Sequence, residues 1–116
     1  MHESSLVQAL LRQVRQLIQA QGASQATEID VCVGEFSGCD PELFSLAYAR
    51  EIADADIGRA RLNIRRAKLT GSCNGCGQTF EIQRFRFACP GCTSTDVTTT
   101  GGEELVLENV TLEIAP

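Results

Sequence analysis

The first segment of the chain has the hydrophobic periodicity of an amphipathic helix. Its apolar positions recur at spacings of one, three and four, while glutamine and arginine fill the opposite side. The apolar positions are Leu6, Val7, Leu10, Leu11, Val14, Leu17 and Ile18. The pattern predicts one helix with a single buried face, which ends at Gly22.

A strand and a second helix follow. Residues 29–33 alternate apolar with polar positions, which predicts a strand with one buried face before the turn-prone residues 34–40. Asp40 is suited to cap the next helix, with Pro41 at its first position and Glu42 in its first turn. We expect the buried face of this helix to contain Leu43, Leu46, Ala47 and Ile52.

Two later segments have the period of a strand, and each shows a one-residue change of phase. The change falls near Arg65 in residues 60–69, and between Leu107 and Val110 in residues 105–114. Matched changes are expected where a two-stranded ribbon leaves a main sheet through a bulge. We therefore predict that these two strands pair antiparallel and carry the residues between them at their tip.

Four of the six cysteines form a C-x2-C-x12-C-x2-C motif: Cys73, Cys76, Cys89 and Cys92. Four thiolates at these spacings suit a tetrahedral Zn²⁺ ion whose closed shell leaves no position for a substrate, so the predicted role is structural. A rubredoxin-like iron site is an alternative, whereas a redox dithiol would explain only one pair. Cys32 and Cys39 lie outside the motif, either as small buried thiols or as a regulatory disulfide.

Composition and charge narrow the class of protein. A chain of 116 residues that is 43% hydrophobic should form one main core with at most a small module attached. The net charge of −5 opposes binding to nucleic acid or to an anionic membrane. Since no apolar run approaches about 20 residues and no signal peptide is evident, we expect a cytoplasmic protein that contacts no membrane.

The rival interpretation is a zinc-ribbon module that binds nucleic acid or a protein partner. Its support is a set of basic residues: Arg59, Arg61, Arg65, Arg66, Lys68, Arg84 and Arg86. The first five follow one predicted strand, and we expect a solvated face that acidic residues of the returning strand balance. Those acidic residues are Glu103, Glu104, Glu108 and Glu113.

The N-terminus carries the only histidine of the chain. A lone histidine is usually a surface residue, but His2 can offer its imidazole beside its own backbone nitrogen and the α-amine of Met1. Several nitrogen donors on one short segment suit Ni(II) or Cu(II).

The order of these features resembles the HypA/HybF family of hydrogenase maturation proteins over essentially the whole chain. The resemblance rests on Met1-His2-Glu3 before a helix, Gly34-Glu35 after a strand, Pro41-Glu42-Leu43 at a helix start, and the cysteine motif before a terminal strand. It implies an α+β fold with two helices packed on a small, mainly antiparallel three-stranded sheet. A four-cysteine zinc-ribbon-like module would project from this sheet.

The same resemblance implies two metal sites in two units. Residues 1–70 plus 98–116 would form a domain that binds nickel through Met1, His2 and Glu3, and residues 71–97 a zinc module. Some relatives carry histidines beside the zinc cysteines. Here Gly77 and Thr93 follow the two C-x2-C pairs, which we call the knuckles, so a switch based on histidine protonation at the zinc site is excluded.

The implied function is that of a nickel metallochaperone. It would deliver Ni(II) to a [NiFe]-hydrogenase large-subunit precursor, with a HypB-like GTPase as a second partner; whether urease also receives nickel stays open. We expect no enzyme activity, because no catalytic triad or Walker motif is present. The exposed sheet edges allow a monomer or a weak homodimer.

Overall fold

The computed structural model describes residues 2–114. It contains two α-helices, a short 3₁₀ turn and six strands. The helices are α1 (His2–Gln21) and α2 (Pro41–Glu51), and the 3₁₀ turn is Ile52–Asp54. The strands are β1 (Ala23–Gly34), β2 (Arg61–Ala67), β3 (Thr70–Cys73), β4 (Thr79–Glu81), β5 (Val97–Gly101) and β6 (Leu105–Ile114). The predicted α+β class, with a four-cysteine module beside the main sheet, is confirmed.

The main core lies between the two helices and one face of the sheet formed by β2, β1 and β6. The apolar stripe of α1 supplies Val7, Leu10, Leu11 and Val14, and β1 supplies Ile29, Val31 and Val33. Burial of each such side chain contributes about 1.5 to 3 kcal/mol. The part of the chain that the structure describes contains no helix long and apolar enough to cross a membrane.

Helix α2 begins as predicted but buries a different face. Of the predicted residues, Ala47 is buried and Ile52 packs against the core, but Leu43 is 50% and Leu46 is 62% exposed. Phe44 and Tyr48 are buried in place of the two leucines, so the prediction was wrong at those two positions. The reason is a long-range contact: the Tyr48 hydroxyl donates to the Ala60 carbonyl at 2.6 Å, which satisfies its polar atom inside the core. Burial raises the pKa of Tyr48 to about 12.

The predicted pairing of the two phase-shifted strands was wrong. The order of the sheet is β2-β1-β6, so β1 separates them, pairing parallel with β2 and antiparallel with β6. Chain periodicity shows which face of a strand is buried but not which strand lies beside it. The parallel pair is possible because α2 provides the crossover connection that such pairs require.

Only one of the two phase changes is a bulge. In β6 the register passes from Asp30 opposite Asn109 to Val31 opposite Leu107, which leaves Glu108 as an extra residue. The register of β2 against β1 is continuous to its end at Ala67. There the phase change reflects a strand that ends before the chain enters a second sheet.

The second sheet has the order β4-β3-β5, with β3 antiparallel to both neighbours. The residues at the end of β1 form hydrogen bonds with the two segments that lead into and out of this second sheet. Gly34 N–H donates to the Glu104 carbonyl at 2.9 Å, and Phe36 N–H donates to the Gly102 carbonyl at 2.7 Å. Glu35 N–H donates to the Ala67 carbonyl at 2.7 Å, and the Glu35 carboxylate accepts from Leu69 N–H at 3.0 Å. We call residues 34–36 the junction segment.

Asp40→Ala should destabilise the protein by about 1 kcal/mol, the usual contribution of a helix N-cap. The Asp40 carboxylate accepts from Glu42 N–H at 2.9 Å and from Leu43 N–H at 3.3 Å, and alanine removes both contacts. Urea unfolding of the zinc-loaded protein measures the change. Asp40→Asn is the matched control, since it retains the acceptor; an equal loss in both variants would contradict the capping role.

Gly34→Ala should destabilise the protein by about 2 kcal/mol through overpacking at the junction segment. A Cβ atom at Gly34 would lie 2.5 Å from the carbonyl carbon and oxygen of Gly102 and 2.9 Å from the Glu104 oxygen, all of them backbone atoms. Gly38→Ala is the control, because Gly38 has a left-handed φ of +79° but open space around it. Denaturant midpoints should fall further for Gly34→Ala than for Gly38→Ala; the reverse order would show that space at the junction is not limiting.

Candidate metal centres

The second sheet and the loops around it bring together the four cysteines of the motif. Their Sγ atoms all lie within 4.8 Å of one another, with Cys73 to Cys92 at 3.5 Å and Cys76 to Cys89 at 3.6 Å. Four sulfurs bound tetrahedrally at about 2.3 Å from one metal ion would be separated by about 3.8 Å. The geometry therefore fits a single tetrahedral ion.

The two knuckles have the same local structure. In each, the first cysteine is buried and the second is exposed. The Cys73 carbonyl accepts from Gly77 N–H at 2.8 Å, and the Cys89 carbonyl accepts from Thr93 N–H at 2.9 Å. Gly77 and Thr93 occupy equivalent left-handed conformations, with φ of 79° and 65°. Thus glycine is used at one knuckle, and the other holds a threonine in a conformation that costs it energy.

Backbone N–H groups stabilise the thiolate form of two of the four cysteines. Gly75 and Cys76 N–H donate to Cys73 Sγ at 3.3 and 3.4 Å, and Gly91 N–H donates to Cys89 Sγ at 3.4 Å. The Cys76 N–H, followed by that of Gly75, lowers the pKa of Cys73 to about 6. The Cys92 N–H, followed by that of Gly91, lowers the pKa of Cys89. Because the thiolate is the metal-binding form, the lowered pKa values of these two residues favour metal capture.

The donor set limits what this centre can do. Among residues 2–114, this is the single cluster of three or more cysteine, histidine or acidic groups close enough to share a metal ion. All four donors are sulfur, so a bound tetrahedral ion would have a complete shell and no open position for chemistry. The arrangement is consistent with structural zinc, and a tetrathiolate iron site would use the same geometry.

Of the predicted nickel residues, His2 and Glu3 begin α1. Met1 and the side chain of His2 fall outside the described residues, whereas Glu3 is described. Its carboxylate accepts from Asp40 N–H at 3.3 Å, which attaches the first turn of α1 to the start of α2. Arg50 of α2 donates to the Ser4 hydroxyl at 3.4 Å and strengthens this attachment. The first N–H groups of a helix have no intrahelical acceptor, so the backbone nitrogen of Glu3 is not used by α1.

The two remaining cysteines are free thiols away from the four-cysteine cluster. Cys39 is 8% exposed, and burial, followed by the nearby charges of Glu3 and Asp40, raises its pKa. Cys32 is 6% exposed on β1, opposite Arg65 in the register. Both are small buried thiols, as the simpler of the two sequence interpretations had it.

The basic and acidic residues of the outer strands pair only in part as predicted. Arg65 reaches across β1 to Glu108, with 2.6 Å between the nitrogen and oxygen, and this contact raises the pKa of Arg65 and lowers that of Glu108. Lys68 instead lies 3.6 Å from Glu81 of the second sheet. The sequence patterns did not predict the contacts of Glu35 and Glu81, because each carboxylate contacts a residue that is distant along the chain.

Comparison with known proteins identifies the family of this chain. The family model described as "Hydrogenase/urease nickel incorporation, metallochaperone, hypA" matches residues 1–112. A hydrogenase maturation factor HypA from Chlorobaculum parvum is 31% identical over 97% of this chain and 100% of its own length. The corresponding factor from Nitrosospira multiformis is 34% identical over 97% of each chain.

Solved structures show the same fold. The solution structure of the Ni metallochaperone HypA from Helicobacter pylori has a TM-score of 0.71 at 24% identity and covers 97% of this chain and 98% of its own. A second solution structure, of a HypA protein, has a TM-score of 0.72 at 26% identity and covers 97% and 96%. With the family model matching almost the whole length, this chain belongs to the HypA family of nickel-incorporating metallochaperones that act in hydrogenase maturation.

Proposed function

We propose that this chain binds Ni(II) at Met1, His2 and Glu3 and delivers it to a [NiFe]-hydrogenase large-subunit precursor. The observation that carries the proposal is the family match, which spans the N-terminal segment and all four clustered cysteines. A HypB-like GTPase is the proposed second partner, and the cytoplasm the proposed location. The chain itself acts as a carrier rather than an enzyme, as a monomer or a weak homodimer.

The proposed nickel donors are the α-amine of Met1, the imidazole of His2, and backbone nitrogens including that of Glu3. The contact of the Glu3 carboxylate with Asp40 N–H supports this assignment, because it commits that carboxylate to the protein and leaves the backbone nitrogen as the donor. Nitrogen donors of this kind suit Ni(II). The amine, with an ordinary pKa of about 7.7 to 8.0, and the imidazole, at about 6.5, must lose protons to bind, so mild acidification favours release.

The proposed metal of the cysteine cluster is Zn²⁺, held by Cys73, Cys76, Cys89 and Cys92. We assign residues 71–97 to this zinc module and residues 1–70 plus 98–116 to the nickel-binding domain. A closed thiolate shell does not exchange its ion readily with a recipient, whereas a short N-terminal segment does. The separation of a permanent structural ion from a transferable cargo follows from this difference in donor sets.

The rival function, a zinc ribbon that binds nucleic acid, has less support. Two of the basic residues that favoured it, Arg65 and Lys68, are paired with carboxylates. The whole chain carries a net charge of −5, which repels a polyanion. We therefore propose that proteins, and not nucleic acids, are the partners.

His2→Ala should lower the affinity for Ni(II) at least tenfold, because the imidazole is lost, and a one-residue extension before Met1 should do the same by displacing the amine. Isothermal calorimetry of zinc-loaded protein measures both. Glu3→Gln is the control: it keeps the backbone nitrogen and should change the affinity by less than about threefold. If all four proteins bind nickel alike, the N-terminal site is wrong.

Cys73→Ser should abolish stoichiometric zinc binding and unfold the second sheet, because that sheet has few buried apolar residues and depends on the metal. Metal analysis by mass spectrometry gives zinc and iron per chain, and amide NMR spectra show which residues lose their structure. Cys32→Ala removes a cysteine outside the cluster and should retain zinc. Retention of zinc by Cys73→Ser, or iron in place of zinc in the wild type, would contradict the assignment.

A further inference from the structure

Three phenylalanine side chains form an exposed cluster where the second sheet meets the junction segment. The ring of Phe36 lies 5.6 Å from that of Phe85 and 6.4 Å from that of Phe87, between centroids. Their exposures are 50%, 59% and 38%. Three neighbouring rings in contact with solvent form the kind of apolar patch that marks an interaction site. We call Phe36, Phe85 and Phe87 the aromatic patch.

Two arginines alternate with these rings along the chain. Arg84 and Arg86 are exposed, and within residues 2–114 neither side chain takes part in a hydrogen bond or an ion pair, unlike Arg65 and Lys68. Both also line a cleft of about 610 Å³ against the second cysteine knuckle. The carboxylate in this cleft is that of Glu81, which is already engaged by Lys68. The cleft therefore presents two unpaired guanidinium groups. The rings of the aromatic patch lie outside its lining, but Phe85 and Phe87 are the chain neighbours of these arginines.

The backbone presents these side chains in a turn that their residue types disfavour. Arg86 N–H donates to the Gln83 carbonyl at 3.0 Å, and the two central residues, Arg84 and Phe85, have φ of 55° and 56°. Two successive left-handed residues define a type I′ turn, in which asparagine and glycine are the favoured residues. Arg and Phe are thus held at a conformational cost, in positions where both side chains face solvent.

We propose that the aromatic patch, together with Arg84 and Arg86, is a docking surface for a protein segment that combines carboxylates with aromatic side chains. Phenylalanine and arginine are both enriched at protein interfaces relative to the rest of the surface. The whole chain carries a net charge of −5, so an acidic segment is repelled by the protein on average and attracted to these guanidinium groups, which favours one orientation. A nucleic acid would meet the same repulsion over a larger surface.

The surface extends the proposed function, because a protein that delivers a metal must hold its recipient. Phe36 precedes Asp40 by four residues, so their Cα atoms are separated by at most about 14 Å. Asp40 in turn contacts Glu3 of the proposed nickel segment. A segment docked on the aromatic patch is therefore held close to Glu3 in the first turn of α1.

The test uses zinc-loaded, nickel-free protein and a fluorescein-labelled peptide of sequence GEFEGEFEG, with GQFQGQFQG as the uncharged control. Fluorescence anisotropy should show binding of the first peptide and at least tenfold weaker binding of the second. R84E/R86E should lose binding of the acidic peptide. R12E/R59E makes the same change in charge at two other exposed arginines and should weaken it less than threefold.

R84N/F85G separates docking from folding. It places the favoured residues in the turn, so its thermal midpoint should equal or exceed that of the wild type while peptide binding is lost.

Equal binding of both peptides by the wild type, no binding at all, or equal losses in R84E/R86E and R12E/R59E would overturn the proposal. So would tighter binding of an oligothymidylate than of the acidic peptide. His2→Ala should retain peptide binding and R84E/R86E should retain nickel binding, so failure of one proposal is distinguishable from failure of the other.

Discussion

The structure depends on the backbone hydrogen bonds of strand β1. This strand lies in the centre of the main sheet, supplies much of the apolar surface against the helices, and pairs with both neighbours. Its continuation, the junction segment, then binds the strands that lead to and from the second sheet. Because Gly34 packs against the backbone of Gly102 and Glu104, side chains are excluded there and the two halves meet through main-chain contacts. One strand thus organises the core and also positions the cysteine cluster.

The two halves are stabilised by different physical means. The main sheet buries a continuous set of aliphatic and aromatic side chains from α1, α2 and β1. In the second sheet and its loops, the buried hydrophobic side chains are those of Leu69, Ile82 and two cysteines, Cys73 and Cys89. So few apolar groups cannot offset the entropy of ordering these loops, and a bound ion would replace the missing core. Four converging thiols, two of them bound by backbone N–H groups, are therefore a structural requirement of this half.

The charged side chains differ in whether another group of the protein binds them. The guanidinium of Arg65 and the ammonium of Lys68 are neutralised within the fold, and the carboxylates of Glu3 and Glu35 are engaged by backbone N–H groups. Arg84 and Arg86 have no such contact among residues 2–114, and in the chain they alternate with rings that are also exposed. Charges that the fold neutralises serve folding. Charges that it leaves free at an apolar patch are available to a partner.

Features that depend on local spacing could be predicted from the amino-acid sequence. The period of α1, the Asp40 cap, the phase change at Glu108 and the C-x2-C pairs each depend on residues a few positions apart, and each is present in the structure. The order of motifs was enough to indicate the family. Only the tertiary structure decided that β1 separates β2 from β6, since a strand's periodicity does not specify its neighbour. The buried face of α2 depends on the Ala60 carbonyl that Tyr48 reaches, and the aromatic patch on contacts across about 50 residues of chain. Such long-range pairings result from packing of the whole molecule, which local patterns do not encode.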